Sequence, residues 1–143
     1  MHSIKKPQDF KKVYGQGKYA ADNLFVVYAL ANELDENRVG ITVSKKVGCA
    51  VVRNRIKRWV RESYRLSVCP NIESVQANFD LVIIARAPAG ELKGKGAYGL
   101  VDVSVKRLLG KVGRKAGFTL YETKLHTQFP TGLQKGNDEV ISP

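Results

Sequence analysis

The residues best placed to do chemistry are cations. Between Lys45 and Arg65 stand eight of them, Lys45, Lys46, Arg53, Arg55, Lys57, Arg58, Arg61 and Arg65, against one acid, Glu62. From Arg53 onward arginine outnumbers lysine five to one. Arginine presents a planar fork of donors that matches phosphate oxygens and stacks on bases, so the chemistry implied is polyanion binding. At about 100° per residue, Val52, Ile56, Trp59, Val60, Ser63 and Leu66 share an arc of roughly 120° on a helix. Arg53, Lys57, Arg58, Arg61 and Arg65 fall on the other side. One face can dock while the opposite one offers guanidinium groups. A merely solvated amphipathic helix usually interleaves acids one turn away to relieve repulsion, and here only Glu62 is available.

Elements must hold that face in place. Residues 51–67 read as the helix itself, with Pro70 and Asn71 as stop signals beyond it. Before it, Pro7 to Gly15 suits a short helix, with Phe10, Val13 and Tyr14 on one face and Gly15 and Gly17 ending it. Asn23 to Ala31 is rich in β-branched and aromatic residues and predicts a strand. Arg38 to Ser44 predicts a second, with Val39, Ile41 and Val43 alternating to one side, and the two suggest an antiparallel hairpin. Phe79 to Arg86 is a third strand, apolar enough for burial on both faces. Tyr98 to Val112 predicts a last helix with Val101, Val105, Leu108 and Val112 as its stripe. Phe118 to Tyr121 suggests a further strand, and Thr131 to Pro143 is expected to be loose. The order α-β-β-α-β-α predicts an α+β fold: a single domain over residues 1–116, helices packed on a small sheet, with 117–143 as a C-terminal extension.

Composition agrees with a polyanionic partner. The chain has 143 residues, enough for one core, with 24 Lys and Arg against 13 Asp and Glu, a formal +11. No apolar run approaches the roughly 20 residues that span a bilayer, so no membrane role is expected. The N-terminus lacks the apolar stretch of a secretory signal, and the expected location is the cytoplasm. Cys49 and Cys69 are then expected as reduced thiols. His2 and His126 are isolated, no metal site is expected on the protein, and no catalytic residue is assigned. Gly90 to Gly96 has glycines one position short of a phosphate loop and is read as a plain loop.

The stretch Lys46-Val47-Gly48-Cys49-Ala50-Val51-Val52-Arg53-Asn54-Arg55-Ile56-Lys57-Arg58-Trp59-Val60-Arg61-Glu62 closely resembles the signature of the bacterial ribonuclease P protein family. That family carries Lys-x-Gly-x-Ala-Val-x-Arg-Asn-Arg-x-x-Arg-x-x-Arg-Glu, and every fixed position is filled. Phe10, Val13, Tyr14 and Gly17 look like its first helix, 25–28 and 38–46 like its hairpin, and 80–86 with Pro88 like its third strand. The likeness spans roughly residues 5–113 and assigns nothing to the last thirty or so.

The resemblance implies an endoribonuclease whose catalyst is an RNA. That RNA, with bound Mg2+, removes the 5′ leader of precursor tRNA. The protein is implied to contact it through Lys45, Lys46, Arg53, Asn54, Arg55, Lys57, Arg58, Arg61 and Arg65. A cleft between the Arg-Asn-Arg helix and the sheet is implied to hold the leader, with Phe10, Tyr14, Val26 and Tyr28 as its lining. Phe10 and Tyr14 also suit a core pair, and Asn54 also suits a solvent-facing position. A left-handed β-α-β crossover is implied for strand 38–44, helix 51–67 and strand 79–86. Two rival readings stand beside this one: a structural RNA-binding protein such as a ribosomal component, and a DNA-binding regulator. DNA is not the expected partner, because a major-groove helix would need a preceding helix and turn, and base-reading side chains where Val51 and Val52 sit.

Overall fold

The computed structural model describes residues 2–34, 36–68 and 78–117. In chain order it places β1 (His2–Ser3), α1 (Pro7–Gln16), β2 (Lys18–Ala21), β3 (Phe25–Ala31), β4 (Arg38–Val43), α2 (Ala50–Val68), β5 (Phe79–Ala85), a 3-10 turn (Ala87–Glu91) and α3 (Ala97–Ala116). This is the α+β architecture expected, with three helices on one mixed sheet. The strand suggested at Phe118–Tyr121, the tail, Cys69, Pro70, Asn71 and His126 lie outside the described residues.

The strand order is β1-β4-β5-β3-β2. β3 and β4 therefore do not form the expected hairpin. β5 lies between them, antiparallel to β3 and parallel to β4, with Val27 opposite Ile83 and Ile41 opposite that same residue on the other side. The physical reason is in β5 itself, whose seven residues are nearly all buried. A strand apolar on both faces belongs in the middle of a sheet, where helices cover both sides. The hairpin that does form joins β2 to β3, and it is tied by Asp22, whose Oδ1 accepts from the Leu24 and Phe25 amides at 2.8 and 2.9 Å. β4 and β5, parallel neighbours connected through α2, make the β-α-β crossover that the resemblance implies.

Alternation along the strands divides the sheet into two faces. Phe25, Val27 and Ala29 of β3, with Val39 and Val43 of β4 and Leu81 and Ile83 of β5, meet Ile56, Val60 and Tyr64 of α2 and Val101, Val105 and Leu108 of α3. The opposite face carries a smaller cluster, Ile4, Val13 and Val82, against which Phe10, Tyr28, Leu30 and Ile84 pack. Thus α2 and α3 cover one side and α1 the other. α3 closes on Gly117 in the left-handed conformation at φ 86°, which glycine adopts without a Cβ penalty.

Candidate RNA interface

α2 docks through a stripe turned slightly from the expected one. Ile56, Val60, Ser63, Tyr64 and Ser67 are buried, whereas Leu66, expected inside, is 46% exposed. Two small serines explain the turn. Ser63 Oγ donates to Asp102 of α3 at 2.7 Å, and Ser67 Oγ donates to the Ser63 carbonyl at 2.7 Å. Both buried hydroxyls are satisfied, Ser63 across to α3 and Ser67 within α2, and the larger Leu66 is left at the rim.

With that stripe inward, Asn54, Arg58, Arg61 and Arg65 are exposed, and Arg53 and Lys57 lie half-buried along one flank. Lys45 and Lys46 are exposed on the turn that leads into the helix. Arg65 bonds Glu62 at 2.7 Å across one turn. Among the described residues, Lys45, Lys46, Arg53, Lys57, Arg58 and Arg61 make no ion pair. Arg55 behaves differently from its neighbours. Its guanidinium carbon stands 5.2 Å from the Trp59 ring centroid, and Nη2 donates to the Leu92 carbonyl at 3.3 Å. Its Nε is buried without a hydrogen-bond partner. Arg55 thus clamps the helix to the loop before α3. The exposed Cys49 precedes the helix, and the Val52 and Val51 amides hold its thiol below the ordinary value.

Phe10, Tyr14 and Tyr28 come together on the other side of the sheet, and Val26 shares their strand face. The Phe10 and Tyr14 ring centroids are 6.4 Å apart, and Tyr14 meets Tyr28 edge-on at 5.2 Å. Alternation in β3 sends Val26 and Tyr28 away from α2, and Tyr28 packs with Phe10 and Val13 of α1 on the opposite face. The residues expected to line a cleft beside α2 therefore do not face that helix. Phe10 packs on the smaller core and is half-buried. Tyr14 is 39% exposed. Gly40 of β4 makes room for Phe10, since a Cβ there would stand 2.6 Å from Phe10 Cε1.

One cluster went unnoticed in the sequence. Asp80 of β5 accepts from Arg38 Nε and Nη2 at 2.9 and 2.6 Å and from Asn32 Nδ2 at 2.7 Å, while Arg38 Nη1 reaches Asp9 of α1 at 3.4 Å. Hydrogen bonds to Asp80 push the Arg38 pKa above its already high ordinary value. This cluster pins α1 to the sheet beside the aromatic side chains. The available signal was a lone acid in an apolar strand, which must find a cation when buried. Among the described residues no group of three or more His, Cys, Asp or Glu could hold a metal ion. No helix among them is long and apolar enough to cross a membrane.

The family model of ribonuclease P matches residues 1–112. The chain belongs to the ribonuclease P protein family. It is 42% identical over 106 residues to the ribonuclease P protein component of Clostridioides difficile, covering 74% of this chain and 87% of that one. With the component from Clostridium kluyveri it shares 44% over 113 residues, 79% of this chain and 96% of the relative. Among solved structures, the Staphylococcus aureus RNase P protein superposes with a TM-score of 0.65 at 36% identity, covering 76% and 93% of the two chains. The protein from Thermotoga maritima gives 0.62 at 31% identity, covering 80% and 97%. Membership makes this chain a protein component of an endoribonuclease of tRNA 5′ processing, ribonuclease P.

Proposed function

We propose that the α2 surface binds the catalytic RNA of ribonuclease P and that the α1 side of the sheet takes the single-stranded 5′ leader of precursor tRNA. The observation that carries this reading is the set of seven cations from Lys45 to Arg61 that have no carboxylate partner among the described residues, six of them besides Arg55, which is turned onto Trp59 and the Leu92 carbonyl. Cations left unneutralised on one element attract a polyanion and release its condensed counterions on binding. Asn54, exposed among them, offers a donor and an acceptor to the same RNA. On the other face, Tyr14 and Tyr28 present rings that tolerate any base, because every base has a stacking face. That tolerance suits a component that must accept many leaders. In this reading Mg2+ is held mainly by the RNA, no residue of this chain is assigned to it, and the chain acts in the cytoplasm.

The test is reconstitution. Adding the chain to a bacterial ribonuclease P RNA with precursor tRNA at low magnesium should raise cleavage and substrate affinity. No gain in either would defeat the proposal. Tyr14→Ala should weaken binding of leader-bearing precursor more than of mature tRNA, and equal losses would return Tyr14 to a packing role.

A further inference from the structure

The aromatic row does not stop at Tyr28. Tyr19 of β2 stands opposite Tyr28 in the β2–β3 ladder, so both side chains leave the same face. Their ring centroids are 5.5 Å apart with planes inclined by 32°. Phe10, Tyr14, Tyr28 and Tyr19 thus form a continuous file from α1 to the outer edge of the sheet. The last ring is the most open large apolar side chain of the four, 55% exposed against 39% for Tyr14.

A cation waits at that end. Lys115, from the last turn of α3, places Nζ 5.6 Å from the Tyr19 ring centroid and 2.8 Å from the Tyr19 carbonyl oxygen. Lys18 and Arg114, the chain neighbours of Tyr19 and Lys115, are exposed as well. Positive charge is dense here: burial first, then the Arg107, Lys115 and Arg114 charges, hold the Lys111 pKa below its ordinary value. Lysines on an edge strand also discourage sheet-to-sheet pairing. That role accounts for Lys18 but not for the cations of α3 or for a tyrosine ring left open to water at the end of an aromatic file.

We infer that Tyr19 and Lys115 form an outer nucleotide position, Tyr19 stacking one base of single-stranded RNA and Lys115 meeting its phosphate. The inference rests on the proposal that the α1 side holds the leader, and it lengthens that track by one step around the β2 edge. The nucleotide concerned is a leader nucleotide beyond those at Tyr14 and Tyr28. A short leader cannot reach it.

The experiment uses the full chain reconstituted with ribonuclease P RNA, and precursor tRNAs whose leaders grow from a single nucleotide upward, with mature tRNA as reference. Tyr19→Ala should leave short-leader affinity unchanged and weaken long-leader binding by roughly five- to tenfold, the effect of one exposed stacking interaction. Tyr19→Phe should bind as the parent does. Lys115→Ala should show a smaller loss with the same length threshold, fading at high salt. Unchanged affinity in both alanine variants, or a loss independent of leader length, overturns the inference. Tyr14→Ala run in parallel separates the two failures. If Tyr14 shows a leader-dependent loss and Tyr19 does not, only the outer position falls. If Tyr14 shows none, the leader track itself falls and the outer position with it.

Discussion

Arg38 and Asp80 are Cα partners on adjacent parallel strands, and their side chains join in a fork with contacts of 2.9 and 2.6 Å. The Asp80 side chain is 6% exposed. Removing Asp80 leaves the largely buried Arg38 with only its longer 3.4 Å contact to Asp9. Asp80→Ala is expected to lower unfolding free energy by about 3–5 kcal/mol, read from urea titration. A loss below about 1 kcal/mol, typical of surface pairs, would mean that solvent replaces the carboxylate freely.

Gly40 and Phe10 should be coupled. Gly40→Ala puts a methyl group against Phe10 Cε1 and Cζ, and overpacking of this kind costs about 1–3 kcal/mol. In a Phe10→Ala background the same substitution should cost far less, and the difference is measured by a double-mutant cycle. Additive losses would show that the ring does not rest on Gly40.

The outward cations should act by charge. Arg53→Ala, Arg58→Ala and Arg61→Ala combined should reduce affinity for ribonuclease P RNA. The slope of log affinity against log salt should shrink by roughly one unit for each phosphate left without its cation. An unchanged slope would mean that this surface meets only water.

Asp22 should shape the acid limb of stability. Burial acts to raise its pKa, but hydrogen bonds from Ser104 Oγ, the Phe25 amide, Arg107 and the Leu24 amide together hold it below the ordinary 3.8. As pH falls, the unfolded chain therefore takes up this proton first. The contribution of Asp22 is complete above the unfolded value and disappears as pH drops through the folded one. Asp22→Asn should be less stable than the parent at pH 7, and its thermal midpoint should fall less steeply below about pH 4. Parallel acid limbs for the two proteins would rule this out.

Much of the architecture could be read from local pattern. The apolar run of β5 announced a strand covered on both sides, and the spacing of Val39, Ile41 and Val43 announced their common face. The cations of α2 were visible because a helix sorts its residues by angle. Pairing was harder to read, since neighbours in sequence need not be neighbours in a sheet. β1 and β2 have two and four residues, too few to display a period. Leu66 was misplaced because the orientation of α2 depends on Ser63 bonding Asp102 of α3, a long-range contact. The same limit hid the partners of Asp80, which come from separate parts of the chain, and the turn of Arg55 onto Trp59 and the Leu92 carbonyl. The two sides of β3 were distinguishable by alternation, but which helix covers each side was not.

The middle position of β5 also bears on how the molecule assembles. During synthesis β3 and β4 leave the ribosome well before Phe79–Ala85, and neither is the other's partner in the finished sheet. Each must wait with one edge unmatched until the chain has passed through α2 and returned. Contacts so distant along the chain slow folding and lengthen the exposure of apolar edges. A nascent fragment ending inside α2 would thus hold much of the outward charge of that helix while lacking the strand that organises everything behind it.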